Sequence, residues 1–182
     1  MPASCEAQPM RVRIQDIPEE GRRVDEVLDR AWLDGALDGA GRAVEPGASV
    51  SLLVERVGAK VLVRGTVKAA AKFECARCLG GIQRDLSFDL THVLEPRPEP
   101  DRLGEDLELT EEDLDVSFFD GPEVDLEEVL REHLLLALPM RALCRDDCAG
   151  LCGRCGANLN QGVCECPPEV DPRWAALQQL KI

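Results

Sequence analysis

C-R-D-D-C-A-G-L-C-G-R-C-G-A-N-L-N-Q-G-V-C-E-C, residues 144–166, holds six of the chain's nine cysteines. They are Cys144, Cys148, Cys152, Cys155, Cys164 and Cys166, spaced C-x3-C-x3-C-x2-C-x8-C-x-C. Soft sulfur donors crowded into a short loop-forming segment are what a tetrahedral metal centre requires. The sharpest part is Cys152-Gly153-Arg154-Cys155-Gly156. Two intervening residues let both sulfurs face one ion, and a glycine just after lets the backbone curl with positive φ. A structural zinc knuckle is expected here. Cys152 and Cys155 are its first pair and Cys164 and Cys166 its second, with Cys144 and Cys148 competing for that place. Six thiols exceed the four that one zinc ion needs, and a two-zinc cluster using all six is the less favoured arrangement.

Two other chemistries suit cysteine-rich segments. Disulfides belong to oxidising compartments, but residues 1–10 carry neither a basic stretch nor an apolar one of the export type, and nine cysteines cannot all pair. Cys148, Cys152 and Cys155 also spell C-x3-C-x2-C, the spacing of a four-iron cluster with one open position. Radical enzymes place that motif early and build a barrel after it, whereas only 27 residues follow Cys155. Metal as zinc is the better reading.

The remaining composition points to an ordinary core and an unusual surface. Of 182 residues only 3% are aromatic and none is tyrosine, so the interior must rest on Leu, Val and Ala. No apolar run approaches the ~18 residues of a membrane span, and a cytoplasmic protein is expected. The net charge of −14 is concentrated in residues 99–132, where 15 acids face two arginines. Such a segment repels phosphate and favours a basic partner such as a ribosomal protein, although solvated linkers carry the same composition.

Alternation of apolar residues predicts strands over residues 10–14, 49–57, 60–74 and 82–94, with a turn at Gly58-Ala59. On the long strand the odd positions Val61, Val63, Val67, Ala69, Ala71 and Phe73 are apolar, and Arg64, Lys68 and Lys72 lie on the even face. The following strand inverts that parity with Ile82, Leu86, Phe88 and Leu90, so a hairpin forms with odd positions opposite even ones. A register summing to 157 would set Lys72 against Asp85 and Lys68 against Asp89, neutralising a stripe that otherwise resembles an RNA footprint. Cys75 and Cys78 form a C-x2-C pair at the hairpin tip. They bring two ligands to a second site, join Cys152 and Cys155, or stay a free dithiol. From residue 18, Val24, Val27, Leu28, Ala31 and Trp32 recur at helical spacing and predict a helix broken by Gly35, Gly39 and Gly41.

After Pro96 a proline-rich, acidic linker is expected, with one more short strand over residues 114–119. Asp125 and Glu128 then make a near capping box before a stripe of Leu126, Val129, Leu130, Leu134 and Ala137, and Pro139 stops that helix. His133, beside the stripe, and His92, in a strand, are read as partly buried, hydrogen-bonded histidines rather than ligands. Asp171-Pro172 opens a short terminal helix with Trp174, Leu177 and Leu180 on one face.

The C-x-R-C-L tip (Cys75, Arg77, Cys78, Leu79), the L-L-L-A-L-P helix end at residues 134–139, the cysteine segment with its G-x-N-L-N continuation, C-x-C, and Asp171-Pro172-Arg173 follow one another in an order that resembles the YceD family. These are the large ribosomal RNA subunit accumulation proteins, here in a metal-binding form, and the resemblance spans about residues 50–180. It implies a non-enzymatic, cytoplasmic bacterial factor that supports normal levels of large-subunit ribosomal RNA. Its partners would be that RNA or a basic large-subunit ribosomal protein, with no membrane and no small-molecule substrate.

The fold class expected is α+β: an antiparallel β-rich domain (residues 1–95) with the C-x2-C tip, an acidic linker (96–124), one main helix (125–139), and a cysteine-rich zinc lobe with a short terminal helix (140–182). Two other functions compete, a zinc-bearing adaptor unrelated to ribosomes and a thiol redox protein using Cys75 and Cys78. Redox chemistry is disfavoured because a hairpin lacks the strand-to-helix setting it needs.

Overall fold

A computed structural model of the chain describes residues 10–98 and 116–167. It is an α+β fold that divides into two compact units. Within the described residues, the larger comprises 10–73, 83–98 and 116–140, and the smaller 74–82 and 141–167. The hairpin tip, read above with residues 1–95, therefore clusters with the cysteine lobe.

The larger unit is built on a twisted sheet of β2 (Arg22–Leu28), β3 (Arg42–Val57), β4 (Lys60–Glu74), β5 (Gly81–Asp85), β6 (Phe88–Pro96) and β7 (Val116–Phe119), in the order β2-β3-β4-β6-β7 with β5 also paired to β4. β1 (Arg11–Arg13) and β8 (Glu123–Asp125) form a separate antiparallel ladder, in which the exposed Arg11 and Arg13 reach Asp125 at 3.3 Å and Glu123 at 2.9 Å. Two helices complete the unit, α1 (Arg30–Ala36) and α2 (Leu126–Ala137).

Period-2 alternation on the central strands is realised as expected. Val61, Val63, Val67, Ala69, Ala71 and Phe73 of β4 are all buried, as are Ala48, Val50, Leu52 and Val54 of β3. Leu33 and Leu37 at α1, Leu126, Leu130 and Leu134 of α2, and Leu90 and Leu94 of β6 are buried with them. Burying each such side chain contributes about 1.5–3 kcal/mol relative to exposure. At Gly65 a side chain would collide with the Ser51 carbonyl of the neighbouring strand, so only glycine admits this close approach of β3 and β4.

Three expectations need correction. Residues 22–28 form an edge strand antiparallel to β3, not a helix; the helix begins only at Arg30, capped by Asp29, which accepts a hydrogen bond from the Trp32 amide at 2.8 Å. Val24 and Leu28 fit either period, Val27 lies on the exposed face of the strand, and backbone pairing with β3 decides in favour of the strand. Its charged residues suit an exposed edge. The β4–β6 register sums to 155, so Thr66 rather than Lys68 faces Asp89. The strand is interrupted at Leu86-Ser87, where the Leu86 amide turns to the Ala69 carbonyl at 2.8 Å. A shift of two keeps every side chain on its face, which is why the parity held while the ion pairs did not. Finally, β8 adds an unforeseen strand inside the range read as linker, while the short strand expected over residues 114–119 is present as β7, which joins β6 in parallel.

The helix α2 follows its sequence signals. Asp125 accepts from the Glu127 amide at 3.0 Å, and the helix ends two residues before Pro139. Glu127 holds the Trp32 indole N–H at 3.0 Å and the Met10 amide at 3.3 Å, tying α2 to α1 and the start of β1. His133 is half-buried with Nδ1 3.0 Å from the Val129 carbonyl; His92 is buried and meets it edge-on at 5.0 Å. Among the described residues no helix is long and apolar enough to cross a membrane. The expected terminal helix with Trp174 lies outside the described residues.

Candidate metal centres

Eight cysteines of the smaller unit gather into two groups of four. Cys75, Cys78, Cys144 and Cys148 form one, Cys152, Cys155, Cys164 and Cys166 the other, and within each group all sulfurs lie within 4.8 Å of one another. Cys75 and Cys78, on the loop between β4 and β5, thus stand beside Cys144 and Cys148, not beside Cys152 and Cys155. Cys144 and Cys148, expected to compete for one ion, instead complete a second set.

Each group starts from the same local device. In Cys75-Ala-Arg-Cys78-Leu79 the Leu79 amide donates to the Cys75 carbonyl at 2.9 Å and the Cys75 amide to the Gly80 carbonyl at 2.9 Å. In Cys152-Gly-Arg-Cys155-Gly156 the Gly156 amide donates to the Cys152 carbonyl at 2.9 Å and the Cys152 amide to the Ala157 carbonyl at 2.8 Å. Both loops close through a left-handed residue after the second cysteine, Gly156 at φ +71° and Leu79 at φ +58°. Glycine takes this conformation at no steric cost, whereas leucine does not.

The distances fit a metal ion. Four sulfurs placed about 2.3 Å from a central zinc at tetrahedral angles are about 3.8 Å apart. Cys75 and Cys148 sulfurs are separated by 3.8 Å, those of Cys78 and Cys144 by 3.7 Å. Both separations far exceed the ~2.05 Å of a disulfide bond.

Electrostatics inside each group prepare it for a cation. Backbone amides of Cys78, Arg77 and Cys144 point at the Cys75 sulfur and lower its pKa to about 6. The amides of Cys155 and Arg154 do the same for Cys152, also to about 6. The Cys148 thiolate beside Cys144, together with burial, pushes Cys144 up to about 12; Cys155 and burial push Cys166 up to about 12. One thiolate is ready-made in each knuckle, and the last thiol resists ionisation until a positive charge enters.

The groups differ in their surroundings. Cys75, Cys78 and Cys148 are buried, with Leu143 and Leu151 packed against them, while the second group has no fully buried member. Around the first group, Asn160 Nδ2 donates to Cys148 Sγ at 3.3 Å while its Oδ1 accepts from the Ala149 amide at 2.8 Å and from Arg145 at 2.7 Å. Asn158 in turn accepts from Asn160 Nδ2 at 2.8 Å. Arg77 donates to the carbonyls of Cys148 at 2.9 Å and Asp146 at 3.2 Å, and Gly150 at φ +78° lets Leu151 donate to the Arg77 carbonyl at 3.1 Å. Sequence reasoning gave Arg77, Asn158 and Asn160 no role. The G-x-N-L-N run after the second knuckle was the available signal, since asparagine so placed turns back onto the loop it follows.

The fold and these centres define a mixed α+β protein whose smaller unit is organised by two tetra-cysteine groups able to bind metal. Residues 63–181 match the family model described as large ribosomal RNA subunit accumulation protein YceD, and the chain belongs to that family. An uncharacterized protein of Mycobacterium tuberculosis is 37% identical over 140 residues, 76% of this chain and 65% of the relative. The Arabidopsis thaliana protein named large ribosomal RNA subunit accumulation protein YCED homolog 1, chloroplastic, is 31% identical over 153 residues, 72% of this chain and 48% of the relative. Its Zea mays namesake is 29% identical over 162 residues, 77% of this chain and 55% of the relative. The chain thus spans less than two thirds of the length of these curated relatives. No solved structure matches it.

Proposed function

We propose that the chain is a non-enzymatic, cytoplasmic factor that supports accumulation of large-subunit ribosomal RNA, and that each tetra-cysteine group holds one structural zinc ion. Membership of the YceD family, together with relatives named for that RNA, carries the functional half. The donor sets carry the metal half. Four thiolates saturate a tetrahedral ion and leave no position for water, so such a centre holds shape rather than performing hydrolysis. Within the lobe Cys152, Cys155, Cys164 and Cys166 bind one ion, and Cys75, Cys78, Cys144 and Cys148 the other. A thiol redox role for Cys75 and Cys78 is disfavoured by their burial, since reactive cysteines need access.

The functional half is tested by depleting the protein in cells and measuring the ratio of large- to small-subunit ribosomal RNA, alongside co-sedimentation with large-subunit precursors. A reduced ratio and co-migration are expected; an unchanged ratio would refute the reading. For the metal half, elemental analysis of purified protein should return two zinc ions per chain, and iron in their place would overturn it.

A further inference from the structure

The larger unit carries a cleft of about 600 Å³ between β6, β7, the turn that follows, and α2. Five carboxylates line it against two guanidiniums, those of Arg11 and Arg97. Both guanidiniums are already held, Arg11 by Asp125 at 3.3 Å and Arg97 by Asp120 at 2.8 and 3.1 Å. Glu128 and Glu132 stand exposed, one turn apart, along the helical wall. Glu123 is paired in turn with Arg13 at 2.9 Å, so the cleft's uncompensated negative charge is that of Glu128 and Glu132.

Charge alone would not make this a site; His92 does. It forms part of the wall, is only 9% exposed, and its Nε2 is buried without a hydrogen-bond partner. Buried polar atoms are nearly always paired, so an orphan in a cleft wall points to a partner brought by a ligand. Burial and the neighbouring His133 keep the ring below its ordinary pKa, so it does not cancel the negative charge at neutral pH. The same wall already holds one cationic head from within the chain. The Arg97 guanidinium lies 5.9 Å over the half-exposed Phe118 ring while Asp120 clamps it, a complete binding mode for an arginine head.

We infer that this cleft docks a basic polypeptide segment, with Glu128 and Glu132 pairing its lysine or arginine side chains and the innermost donor or acceptor meeting His92 Nε2. An RNA would bring phosphates against this field, so the cleft is a protein-docking site. Only the identity of the partner, a basic protein of the large subunit, rests on the function proposed above; the ligand's chemistry does not.

The test is fluorescence anisotropy of a labelled arginine- and lysine-rich peptide with the full-length, zinc-loaded protein. Saturable binding that weakens as salt is raised is expected. The double variant E128Q/E132Q, changed at exposed positions, should weaken Kd about tenfold, whereas E19Q/E20Q, which removes the same charge in a turn outside the cleft's lining, should change it less than about twofold. His92 ring resonances should move when the peptide is added. Equal affinity of E128Q/E132Q and wild type, no peptide binding, equal binding of an acidic peptide, or displacement of the peptide by a single-stranded RNA would each overturn the proposal. Wild-type protein that binds the peptide through Glu128 and Glu132 but does not co-sediment with large-subunit precursors would refute the ribosomal reading and leave the cleft's ligand class standing.

Discussion

Leu79 occupies, at φ +58°, the place that Gly156 fills in the other knuckle, and its side chain is 61% exposed. A β-carbon in the left-handed region costs roughly 1–2 kcal/mol, and an exposed leucine recovers little of that by packing. Leu79→Gly should therefore stabilise the smaller unit by about 1 kcal/mol, and Gly156→Leu should destabilise it by a similar amount, both read from chemical denaturation of the zinc-loaded protein. Equal and opposite results would tie the two loops to one conformational rule. Asn160 acts through Cys148. Removing its side chain takes a donor from the sulfur and an acceptor from the Ala149 amide. Asn160→Ala is expected to weaken metal binding at the buried group about ten- to hundredfold in chelator competition, with the Cys152 group unchanged.

At the level of elements, α2 is the one whose start and stop were both legible, because Asp125 and Pro139 act within a turn of their own position. Asp125→Ala should cost about 1 kcal/mol of stability to denaturant, nearly all through the lost cap, since its exposed pairing with Arg11 contributes little. β4 was legible for the same reason: alternation over fifteen residues admits no other period. What failed were relations between distant segments. Val24 and Leu28 suit two periods, and only β3 chooses between them. Parity specified the β4–β6 faces but not which of the registers two residues apart is used. The second cysteine group was hidden most deeply, because spacing lets Cys75 and Cys78 face one ion but says nothing of a partner 66 residues further along.

For the whole molecule, the contrast in burial between the two groups orders their behaviour. Ions held by Cys152, Cys155, Cys164 and Cys166 are reached by solvent first, so a chromogenic chelator should release zinc in two phases. The fast phase should vanish in C152S/C155S and the slow one in C75S/C78S; a single phase in wild type would contradict this. Acid acts on the larger unit as well. Burial and His133 hold His92 below its ordinary 6.5, with Glu132 opposing them. The unfolded chain therefore takes up this proton first as pH falls. The stabilisation is complete above about pH 6.5 and is lost on descending from there toward the lower folded value. His92→Leu should flatten that part of the pH dependence of thermal stability, while the steeper loss from proton competition at the thiolates persists.

The buried group draws two ligands from a β-hairpin and two from residues 144 and 148, so it cannot exist until the chain between them has been made. At about 5–20 residues per second of synthesis, the dithiol at the tip waits roughly 3–13 s for its other half. Until then it is the newborn chain's exposed liability, open to oxidation or to premature capture of a stray ion. Once the fourth sulfur arrives, an ion bound there would act as a clasp that fastens early and late translation products together.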